Sequence, residues 1–439
     1  MSLIDALSEP FGIRLYRGAS AAAGPLAELA LRRRLRNGKE DPKRIAERRG
    51  VAGRPRPEGV LVWIHGASVG ESLSVLPLVK ELHARRPDLR FLVTTGTVTS
   101  ARLMRERLPQ AAVHQFIPLD RPKYVDAFLA AWRPDVAVFV ESEFWPNLIL
   151  RARARTPFMA LVNGRVSPQS FAQWTKRTRA IRYVLAAFDA IVAQDRQSAE
   201  RLEALSGRAV ATFGNLKNAA PPLPEDVEAR AALNAQIGGR PVWLAASTHE
   251  GEEAPVCAAH RLIDETHKGV LTLLAPRRPE RGAEVADICR AHGLRVARRS
   301  QGDAIAPDTD IYLADTLGEL GLFYRLSDVA FVGGSLTDKG GHNPLEPARL
   351  HSAILHGPHT FNFVETYGEM RAAGGSGLVR NERELAAAVS RLLTDPKTRA
   401  AMADAANDAA ARSAANVLAA VCDLILERTP AAPARRDAS

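Results

Sequence analysis

The stretch Val60-Leu61-Val62-Trp63-Ile64-His65-Gly66-Ala67-Ser68-Val69-Gly70-Glu71 decides the fold class of this chain. Its first part, from Val60 to Ile64, is wholly apolar and predicts a buried strand. Two glycines then allow the backbone to turn tightly into a helix, which we predict over Glu71–Arg86. A buried strand followed by a glycine turn and a helix is typical of a parallel sheet covered by helices.

The same pattern recurs along the chain and predicts an α/β protein with two Rossmann-like, doubly wound parallel-sheet domains that face a cleft. Short runs rich in Val, Ile, Leu or Phe alternate with helix-length segments, and one proline-rich segment interrupts the alternation. The predicted strands are Val60–Ile64, Phe91–Thr95, Val136–Val140, Phe158–Val162, Ala190–Ala193 and Ala209–Phe213, followed by Val242–Ala246, Val270–Ala275, Ile311–Leu313, Val329–Val332 and Ala353–His356.

These patterns divide the 439 residues into five parts. We predict a basic, membrane-associated segment at 1–58, a first domain at 59–215, a proline-rich linker at 216–226 and a second domain with closing C-terminal helices at 227–428. The last part, 429–439, is polar and is predicted to be mobile. A chain of this length exceeds one ordinary core, which agrees with two domains.

The net charge of +10 is spread unevenly, with two basic stretches in the N-terminal half. Residues 31–56 contain eleven Lys or Arg and three acidic residues, and residues 144–188 contain eight Lys or Arg and no acidic residue. Such surfaces favour an anionic lipid, a phosphorylated substrate or a nucleic acid, and a solvated charged face is the alternative. Nucleic acid ranks last, because no helix-turn-helix, zinc finger or aromatic RNA-binding motif is evident.

The segment 13–31 is too polar to predict a transmembrane helix, because Arg14, Arg17, Pro25 and Glu28 interrupt it. Its apolar residues instead predict a segment lying on a membrane surface, with the Arg32–Arg36 cluster on lipid headgroups. A helix packed on the first domain is the alternative. No secretory signal is evident. The residues expected to face the membrane are Phe11, Ile13, Leu15, Tyr16, Leu26, Leu29 and Leu31.

The turn after the first strand is compatible with two catalytic functions, a general base at Glu71 and a serine nucleophile at Ser68. Glu71 lies near the start of the predicted helix, where the positive end of the helix dipole holds a carboxylate ionised, as a general base requires. A first-turn Glu that merely offsets the dipole is the alternative. The same turn spells Gly66-Ala67-Ser68-Val69-Gly70, the nucleophile-elbow pattern of α/β-hydrolases, with Ser68 as the nucleophile.

Acidic residues follow another predicted strand. Glu141 and Glu143 come after Val136–Val140, beside Phe144 and Trp145. Because alternate residues of a strand share a face, we predict that both carboxylates belong to one site. Solvated loop acids are the alternative.

A glycine-rich part of the second domain predicts a phosphate site. The pairs Gly333-Gly334 and Gly340-Gly341 leave backbone amides free to approach a phosphate, and Asn343 can cap a following helix. Glu346 is then either a capping-box residue or an acceptor for ribose hydroxyls. Arg277, directly after another strand, supplies a planar cation suited to phosphate or carboxylate.

Several metal and cofactor patterns are absent from the sequence. It contains neither a Walker A motif nor a Gly-x-Gly-x-x-Gly fingerprint. Asp308-Thr309-Asp310 spells a metal-binding Asp-x-Asp, but it precedes a strand and we interpret it as a turn. The three cysteines lie far apart and predict neither a disulfide framework nor a zinc site, as in a reducing cytoplasm. We predict no metal and no cofactor.

Taken in this order, the motifs resemble those of the 3-deoxy-D-manno-octulosonic acid (Kdo) transferases of lipopolysaccharide synthesis, inverting glycosyltransferases of the GT-B fold. The resemblance implies transfer of Kdo from CMP-Kdo to a lipid A precursor (lipid IVA) at the cytoplasmic face of the cell inner membrane in the Gram-negative envelope. The segments that carry it are His65–Glu71, Glu141–Asn147, Val162–Arg165, Gly214–Lys217, Ser247–Glu253, Ala275–Arg277, Leu317–Leu320 and Gly340–Pro347.

The resemblance also implies roles for single residues. Glu71 is the base that deprotonates the acceptor hydroxyl, and Glu141 and Lys217 stabilise the transition state. The first domain binds the acceptor and the second binds the CMP-sugar. The residues implied in CMP binding are Pro276, Arg277, Leu317, Gly318, Glu319, Asn343, Pro344, Leu345 and Glu346.

One departure from the family pattern concerns the membrane. Family members usually begin with a more hydrophobic anchor than residues 13–31, so peripheral attachment is the better prediction. The expected partners are CMP-Kdo, the lipid A precursor and an anionic membrane surface, with no nucleic acid. A serine hydrolase using Ser68 and a GT-B glycosyltransferase with another donor stay open as alternatives.

Overall fold

The computed structural model describes residues 3–431 and contains two compact units. The first comprises the described residues up to Pro221 together with those from Ser413 onward, and the second runs from Pro222 to Arg412. Of the tail predicted to be mobile, residues 432–439 lie outside the described residues.

A seven-stranded parallel sheet forms the middle of the first unit in the described part of the chain. Both faces of the strand Leu61–His65 are buried, because Leu61 and Trp63 pack into one apolar layer and Val62 and Ile64 into the other. The strands are β1 Leu61–His65, β2 Arg90–Thr95, β3 Ala112–Phe116, β4 Val136–Val140, β5 Phe158–Gly164, β6 Ala190–Ala193 and β7 Ala211–Thr212, in the spatial order β3-β2-β1-β4-β5-β6-β7.

The second unit is built on another parallel sheet, for which the described residues also supply seven strands. Its central strands are buried: Trp243 and Ala245 pack into one layer and Leu244 and Ala246 into the other. The strands are β8 Val242–Thr248, β9 Leu271–Pro276, β10 Val296–Arg298, β11 Ile311–Leu313, β12 Val329–Val332, β13 Ala353–His356 and β14 Ser376–Leu378, in the spatial order β10-β11-β9-β8-β12-β13-β14.

Helices connect the strands of both sheets. Several begin at a side-chain cap: the Ser68 hydroxyl accepts a hydrogen bond from the backbone N–H of Glu71, and Asp195 caps another helix in the same way. The helices are α1 Phe11–Ala22, α2 Gly24–Arg36, α3 Val69–Arg85, α4 Val98–Arg107, α5 Pro122–Trp132, α6 Pro146–Arg153, α7 Pro168–Thr175, α8 Thr178–Leu185, α9 Arg196–Ser206, α10 Val227–Ile237, α11 Glu253–Thr266, α12 Gly282–Ala291, α13 Leu320–Arg325, α14 Leu345–Ala348, α15 Val364–Ala372, α16 Glu382–Thr394 and α17 Pro396–Leu426.

The predicted two-sheet α/β class is confirmed, and the strands that the sequence missed are edge strands. β3 lies at one edge of the first sheet and is only partly buried, so polar His114 and Gln115 interrupt its apolar pattern. β10 and β14 are the edges of the second sheet and have three residues each. Short edge strands carry too weak a pattern to predict.

Each sheet contains a point at which the chain reverses the direction in which strands are added. In the first sheet this point lies between β1 and β4, and in the second between β8 and β12. Loops after such neighbouring strands diverge and leave a crevice, which is where α/β sheets bind ligands. The loop before Glu71 follows β1, and Glu141 follows β4. The predicted catalytic residues therefore lie at the crevice of the first sheet.

The N-terminal segment packs on the first unit, which corrects part of the membrane prediction. Ile13 and Leu31 are buried within the protein rather than exposed. Tyr16 donates a hydrogen bond from its hydroxyl to Asp120 at 2.9 Å. Four of the seven residues expected to face a membrane are exposed, namely Phe11, Leu15, Leu26 and Leu29.

Many cations of the two basic stretches are structural. Arg48 is buried and forms an ion pair with the buried Glu40 at 2.8 Å, and its guanidinium also donates to the backbone oxygens of Gly96 and Ile117. The described cations in these stretches that form ion pairs are Arg34, Arg44, Arg48, Arg49 and Arg56, and Arg151, Arg153 and Arg155.

The long helix α17 changes the predicted domain boundary. Val417, Val421, Cys422 and Ile425 belong to an apolar layer of the first sheet, so residues from 413 belong to the first unit and not to a second domain ending at 428. Within residues 3–431, α17 alone has the length and apolar composition that could cross a membrane. Burial of these four side chains is also what a core helix shows.

Two of the three cysteines meet despite their distance in sequence. Cys257 on α11 and Cys289 on α12 are both buried free thiols, and their sulfur atoms are 3.3 Å apart. The sequence did not predict this contact, because it depends on how the two helices pack.

Candidate functional site

Glu71 lies in the first turn of α3, which follows the carboxyl end of β1 in the chain. Its Oε1 accepts a hydrogen bond from the Ser68 hydroxyl at 2.7 Å, and its Oε2 accepts one from the backbone N–H of Ala67 at 2.7 Å. Burial raises the pKa of Glu71 above its ordinary value; these two hydrogen bonds oppose the shift, and the nearby charge of Glu141 adds to it. A carboxylate with a raised pKa is a stronger base than an ordinary glutamate.

This pKa differs from the sequence prediction. The position of Glu71 at a helix start predicts that the helix dipole favours its ionised form and lowers its pKa. The side chain is buried, and the loss of water around the charge outweighs the hydrogen bonds that favour it. The direction still suits a general base, which works best when its pKa approaches the working pH.

Glu141 and Lys217 form an ion pair beside the turn that leads to Glu71. Lys217 lies in a 3₁₀ helix at Leu216–Ala219, and its Nζ is 2.5 Å from Glu141 Oε1. The Lys217 side chain passes Gly70, since a methyl group on Gly70 would lie 3.9 Å from Lys217 Cε. The structure therefore brings the three predicted catalytic residues together.

Two residues at this edge have a left-handed backbone. Glu141 has φ 63° and Asn163, in the bulged end of β5, has φ 54°. For residues other than glycine this conformation costs about 1–3 kcal/mol and is found mainly at functional sites. Asn163 Oδ1 accepts a hydrogen bond from the backbone N–H of Leu216 at 2.8 Å. This bond holds the segment that carries Lys217.

The expectation that Glu141 and Glu143 share a strand face is wrong. β4 ends at Val140 and the backbone turns at Glu141, so the alternation of a strand does not extend to Glu143. Glu143 instead accepts a hydrogen bond from the indole Nε1 of Trp145 at 2.5 Å. The two carboxylates therefore have different partners.

In the second unit, Arg277 lies among several of the residues implied in CMP binding. Pro276 ends β9, and the exposed Arg277 follows it with its backbone N–H bonded to Thr248 O at 2.9 Å. Burial raises the pKa of Glu346, and the charges of Arg349 and, to a smaller extent, Arg277 oppose this shift. Asn343 Oδ1 accepts a hydrogen bond from Leu345 N at 3.1 Å. A cation, an amide and a carboxylate thus converge near the carboxyl ends of β9 and β12.

The segment 343–346 differs slightly from the predicted helix start. α14 begins at Leu345 and has one turn, with Pro344 at its cap position. Asn343, one residue before the cap, accepts a hydrogen bond from Leu345 N. The side chain of Asn343 also hydrogen-bonds Glu346 and lowers its pKa, against the larger effect of burial. The cap position is thus Pro344, which makes no side-chain cap bond, and not Asn343 as predicted.

The remaining predicted CMP residues lie after β11. Leu317 is exposed, and Gly318 has φ 84°, a conformation that favours glycine. The Glu319 carboxylate is held by Arg299 at 2.6 Å and by the Thr316 hydroxyl at 2.5 Å. The Arg299 hydrogen bond lowers the pKa of Glu319, so this carboxylate is ionised and fixed in place.

Sequence reasoning gave no role to Glu252, although its contacts connect the two loops at the crevice of the second sheet. Glu252 is fully buried, and its carboxylate accepts hydrogen bonds from four backbone N–H groups. One belongs to His249, in the loop after β8, at 2.9 Å. Three belong to the loop after β12: Gly334 at 2.6 Å, Ser335 at 3.0 Å and Leu336 at 2.9 Å. The Ser247–Glu253 motif contained this residue, but only the fold reveals its partners.

The same two loops bring a pair of histidines together. The rings of His249 and His342 are nearly parallel, with centroids 5.1 Å apart and Nε2 atoms 2.9 Å apart. Burial lowers the pKa of His342 to about 4 and lowers that of His249, and Arg277 adds to both shifts. Both rings are therefore neutral near pH 7, and one can donate a hydrogen bond to the other.

The Asp308-Thr309-Asp310 segment is a turn, as predicted. Both carboxylates form ion pairs with Arg295, at 3.2 Å from Asp308 and 2.9 Å from Asp310. The segment precedes β11 and thus lies at the amino end of that strand, away from the residues that follow the strands.

Comparison with known proteins gives the family. A family model described as 3-deoxy-D-manno-octulosonic-acid transferase (kdotransferase) matches residues 43–220. A 3-deoxy-D-manno-octulosonic acid transferase of Rickettsia bellii is 35% identical over 346 residues, which cover 79% of this chain and 82% of that protein. This chain belongs to the Kdo transferase family. Glu71, Glu141 and Lys217 all lie within the residues that the family model matches.

A second relative and a solved structure agree with this family and fold. The enzyme of the same description from Rickettsia felis is 38% identical over 298 residues, which cover 68% of this chain and 64% of that protein. The chain thus spans just under two thirds of that relative's length. A crystal structure described as a glycosyltransferase from Rickettsia africae has a TM-score of 0.58 at 10% identity, covering 85% of this chain and 99% of that one. This likeness concerns the fold alone, which is the predicted two-domain GT-B class.

The geometry does not favour the hydrolase alternative. A serine nucleophile needs a base, usually a histidine, within hydrogen-bond distance. The Ser68 hydroxyl donates to Glu71 and caps α3, and the nearby His65 contacts Thr94 through Nδ1 at 3.0 Å. Ser68 therefore caps the helix and orients the Glu71 carboxylate.

Proposed function

We propose that this member of the Kdo transferase family transfers Kdo from CMP-Kdo to a lipid A precursor (lipid IVA), with inversion at the anomeric carbon. The observation that carries the proposal is the cluster of Glu71, Glu141 and Lys217 at the crevice of the first sheet. A single displacement needs one base at the acceptor hydroxyl and no protein nucleophile. Glu71 is the one carboxylate of this cluster that two neutral donors orient.

In this mechanism Glu71 removes the proton from the acceptor hydroxyl as that oxygen attacks the anomeric carbon. The Glu141–Lys217 pair supplies fixed charge beside the reacting atoms, which stabilises charge that develops in the transition state. The CMP leaving group would be held by Arg277 and by the polar groups of Asn343 and Glu346. An arginine can neutralise a departing monophosphate, so we propose that the reaction needs no metal.

The first test measures transfer from freshly prepared CMP-Kdo to a tetraacylated lipid A precursor in the presence of EDTA. We expect activity in the wild type and a loss of at least about a hundredfold in Glu71→Gln, because general base catalysis contributes about 10²–10⁴. Glu106→Gln, at an exposed position on α4, is the matched control and should stay active. NMR of the product should show inverted anomeric configuration.

A folded wild-type protein that transfers nothing would overturn the function, and donor profiling would then identify another sugar nucleotide. Activity that EDTA abolishes and Mg²⁺ restores would overturn metal independence alone. Retention at the anomeric carbon would overturn the single displacement.

We further propose that the chain is a peripheral protein of the cytoplasmic face of the inner membrane. Phe11 and Leu15 on α1 are 74% and 61% exposed, and Leu26 and Leu29 on α2 are also exposed. Single exposed apolar residues are normal, but four on two consecutive helices are suited to contact with lipid. Cations on α2, including Arg32, Arg33 and Arg36, would meet anionic headgroups.

Vesicle co-sedimentation tests this location. We expect the wild type to bind vesicles rich in phosphatidylglycerol, and the double variant Phe11→Ser with Leu15→Ser to bind several times more weakly. The control is Val364→Ser, an exposed apolar position in the second unit. Equal binding by the double variant and the wild type would exclude this surface as the contact.

A further inference from the structure

A small cavity lies beside the catalytic cluster in the first unit. Its volume is 210 Å³, the size of a single sugar residue, and its lining comes from residues 142–145, 165–166, Ser170 and Trp174. Residues 142–145 directly follow Glu141 at the end of β4, and Arg165 directly follows β5, the neighbouring strand. The cavity therefore opens at the same carboxyl edge of the sheet as the Glu141–Lys217 pair.

Aromatic side chains form a large part of this cavity. Trp145 is 46% exposed, and its indole N–H is fixed by the bond to Glu143. Phe144 and Trp174 pack edge to face with ring centroids 6.4 Å apart. An exposed, oriented indole beside hydroxyl and carboxylate groups suits the apolar face and hydroxyls of a sugar ring.

Arg165 supplies a positive charge to the cavity, which the carboxylate of Glu143 also lines. Its side chain is exposed, and within residues 3–431 the structure gives it no ion pair. Arg151, Arg153 and Arg155, in the same basic stretch, are all paired with Asp126 or Asp189. An unpaired guanidinium at the mouth of a ligand-sized cavity favours a phosphate, which it can bind through two parallel hydrogen bonds.

We propose that this cavity binds the phosphorylated glucosamine of the acceptor that carries the reacting hydroxyl, with Arg165 on its phosphate and Trp145 on its ring. The proposal rests on the proposed function, since it names a subsite of the same acceptor. The reason is the position of the cavity. The ring that presents its hydroxyl to Glu71 must lie next to Glu141, and the lining of the cavity begins at Ser142, the residue after Glu141. Arg165 is thus a specificity-determining residue.

Binding measurements test the proposal without depending on turnover. Calorimetry would compare three detergent-solubilised acceptors: the bisphosphorylated precursor, the form lacking the phosphate on the reacting ring, and the form lacking the phosphate on the other ring. For Arg165→Ala we expect the Kd of the bisphosphorylated acceptor to rise roughly tenfold or more, as for a lost hydrogen bond to a charged group. For the form lacking the reacting-ring phosphate, wild type and variant should bind equally.

Two variants and a control separate this role from a general one. Arg165→Lys keeps the charge and should recover part of the affinity, and Trp145→Phe should bind better than Trp145→Ala. Arg196→Ala removes an exposed arginine elsewhere in the first unit and should bind like the wild type. Thermal melting would verify that each variant is folded.

Each other outcome overturns the proposal. If Arg165→Ala raises the Kd of all three acceptors equally, Arg165 does not bind a phosphate of the acceptor. If Arg165→Ala has no effect on binding of the acceptor that lacks the phosphate on the non-reacting ring, then Arg165 binds that phosphate and not the one on the reacting ring. Failure of the proposed function is a separate result, because the wild type would then transfer no Kdo to any of the three acceptors.

Discussion

At the scale of single residues, Glu71 combines two opposing influences on one carboxyl. Burial disfavours its charged form, whereas the Ser68 hydroxyl and the Ala67 backbone N–H favour it. Burial is the larger influence, and the result is a base whose pKa lies above that of a free glutamate. The serine that spells a hydrolase motif thus has a different role here, because its hydroxyl tunes and orients the carboxylate.

We expect Ser68→Ala to move the acidic limb of the pH–rate profile to higher pH. The Ser68 hydrogen bond lowers the pKa of Glu71, so its removal raises that pKa further. A base works only when deprotonated, and activity is therefore lost as the pH falls through the raised pKa. The kcat/KM for the acceptor, measured against pH, checks this shift.

Thr97→Ala is the matched control for Ser68→Ala, because Thr97 caps α4 in the same way. Both variants lose a cap worth about 0.5–2 kcal/mol, but only Ser68→Ala should move the limb. An acidic limb at unchanged or lower pH would contradict the role of Ser68. Loss of activity at every pH would restore the nucleophile hypothesis.

At the scale of elements, the second sheet depends on a contact between two loops. Glu252 follows β8 and binds three consecutive backbone N–H groups after β12. These loops also carry the His249–His342 pair, near Arg277. Glu252 is thus a positioning residue for the part of the molecule where we propose that the donor binds.

We expect Glu252→Gln to raise the KM for CMP-Kdo roughly tenfold while the KM for the acceptor changes little. The amide would direct an NH₂ group at backbone N–H donors, and such a mismatch in a buried site costs about 1–3 kcal/mol. Steady-state kinetics with each substrate varied in turn provide the measurement. Glu284→Gln, an exposed residue of the same unit, is the control.

Equal changes in both KM values would show that Glu252 acts on overall stability rather than on the donor loops. A fully active variant with unchanged donor KM would show that the loops keep their arrangement without it.

The elements also show how far sequence reasoning extends. Strands such as Val136–Val140 were predicted with their bounds, because a central strand is apolar on both faces and this pattern is unambiguous. β3, β10 and β14 were missed because edge strands are short or partly polar. Residue types at the ends of central strands predicted Glu71 and Glu141, whereas three of the four partners of Glu252 lie more than eighty residues away along the chain.

At the scale of the whole molecule, the boundary between the two units falls within the residues of α17. Its later part contributes Val417, Val421, Cys422 and Ile425 to the core of the first unit, more than two hundred residues after that unit's last strand. The first unit is therefore completed only after residues 417–425 have been synthesised.

We expect Ile425→Ala to destabilise the first unit by about 2–5 kcal/mol, as truncation of a buried isoleucine does. Chemical denaturation followed by tryptophan fluorescence would detect unfolding of the variant at a lower denaturant concentration. Because the two units need not unfold together, each transition is compared separately with that of the wild type. Val364→Ala, at an exposed site, should change stability by less than about 0.5 kcal/mol. A stable Ile425→Ala would contradict the core position of α17 and favour a lipid-facing one.

By itself, the sequence determined the fold class, the family and the identity of the three residues proposed for catalysis, because apolar periodicity and motif order are local properties. The tertiary structure alone decided which of the charged residues are free. Arg165 and Arg151 belong to the same basic stretch, yet only Arg151 meets a carboxylate, supplied by Asp126. The pKa of Glu71 and the contacts of Glu252 likewise depend on burial and on partners distant in sequence, which no local pattern contains.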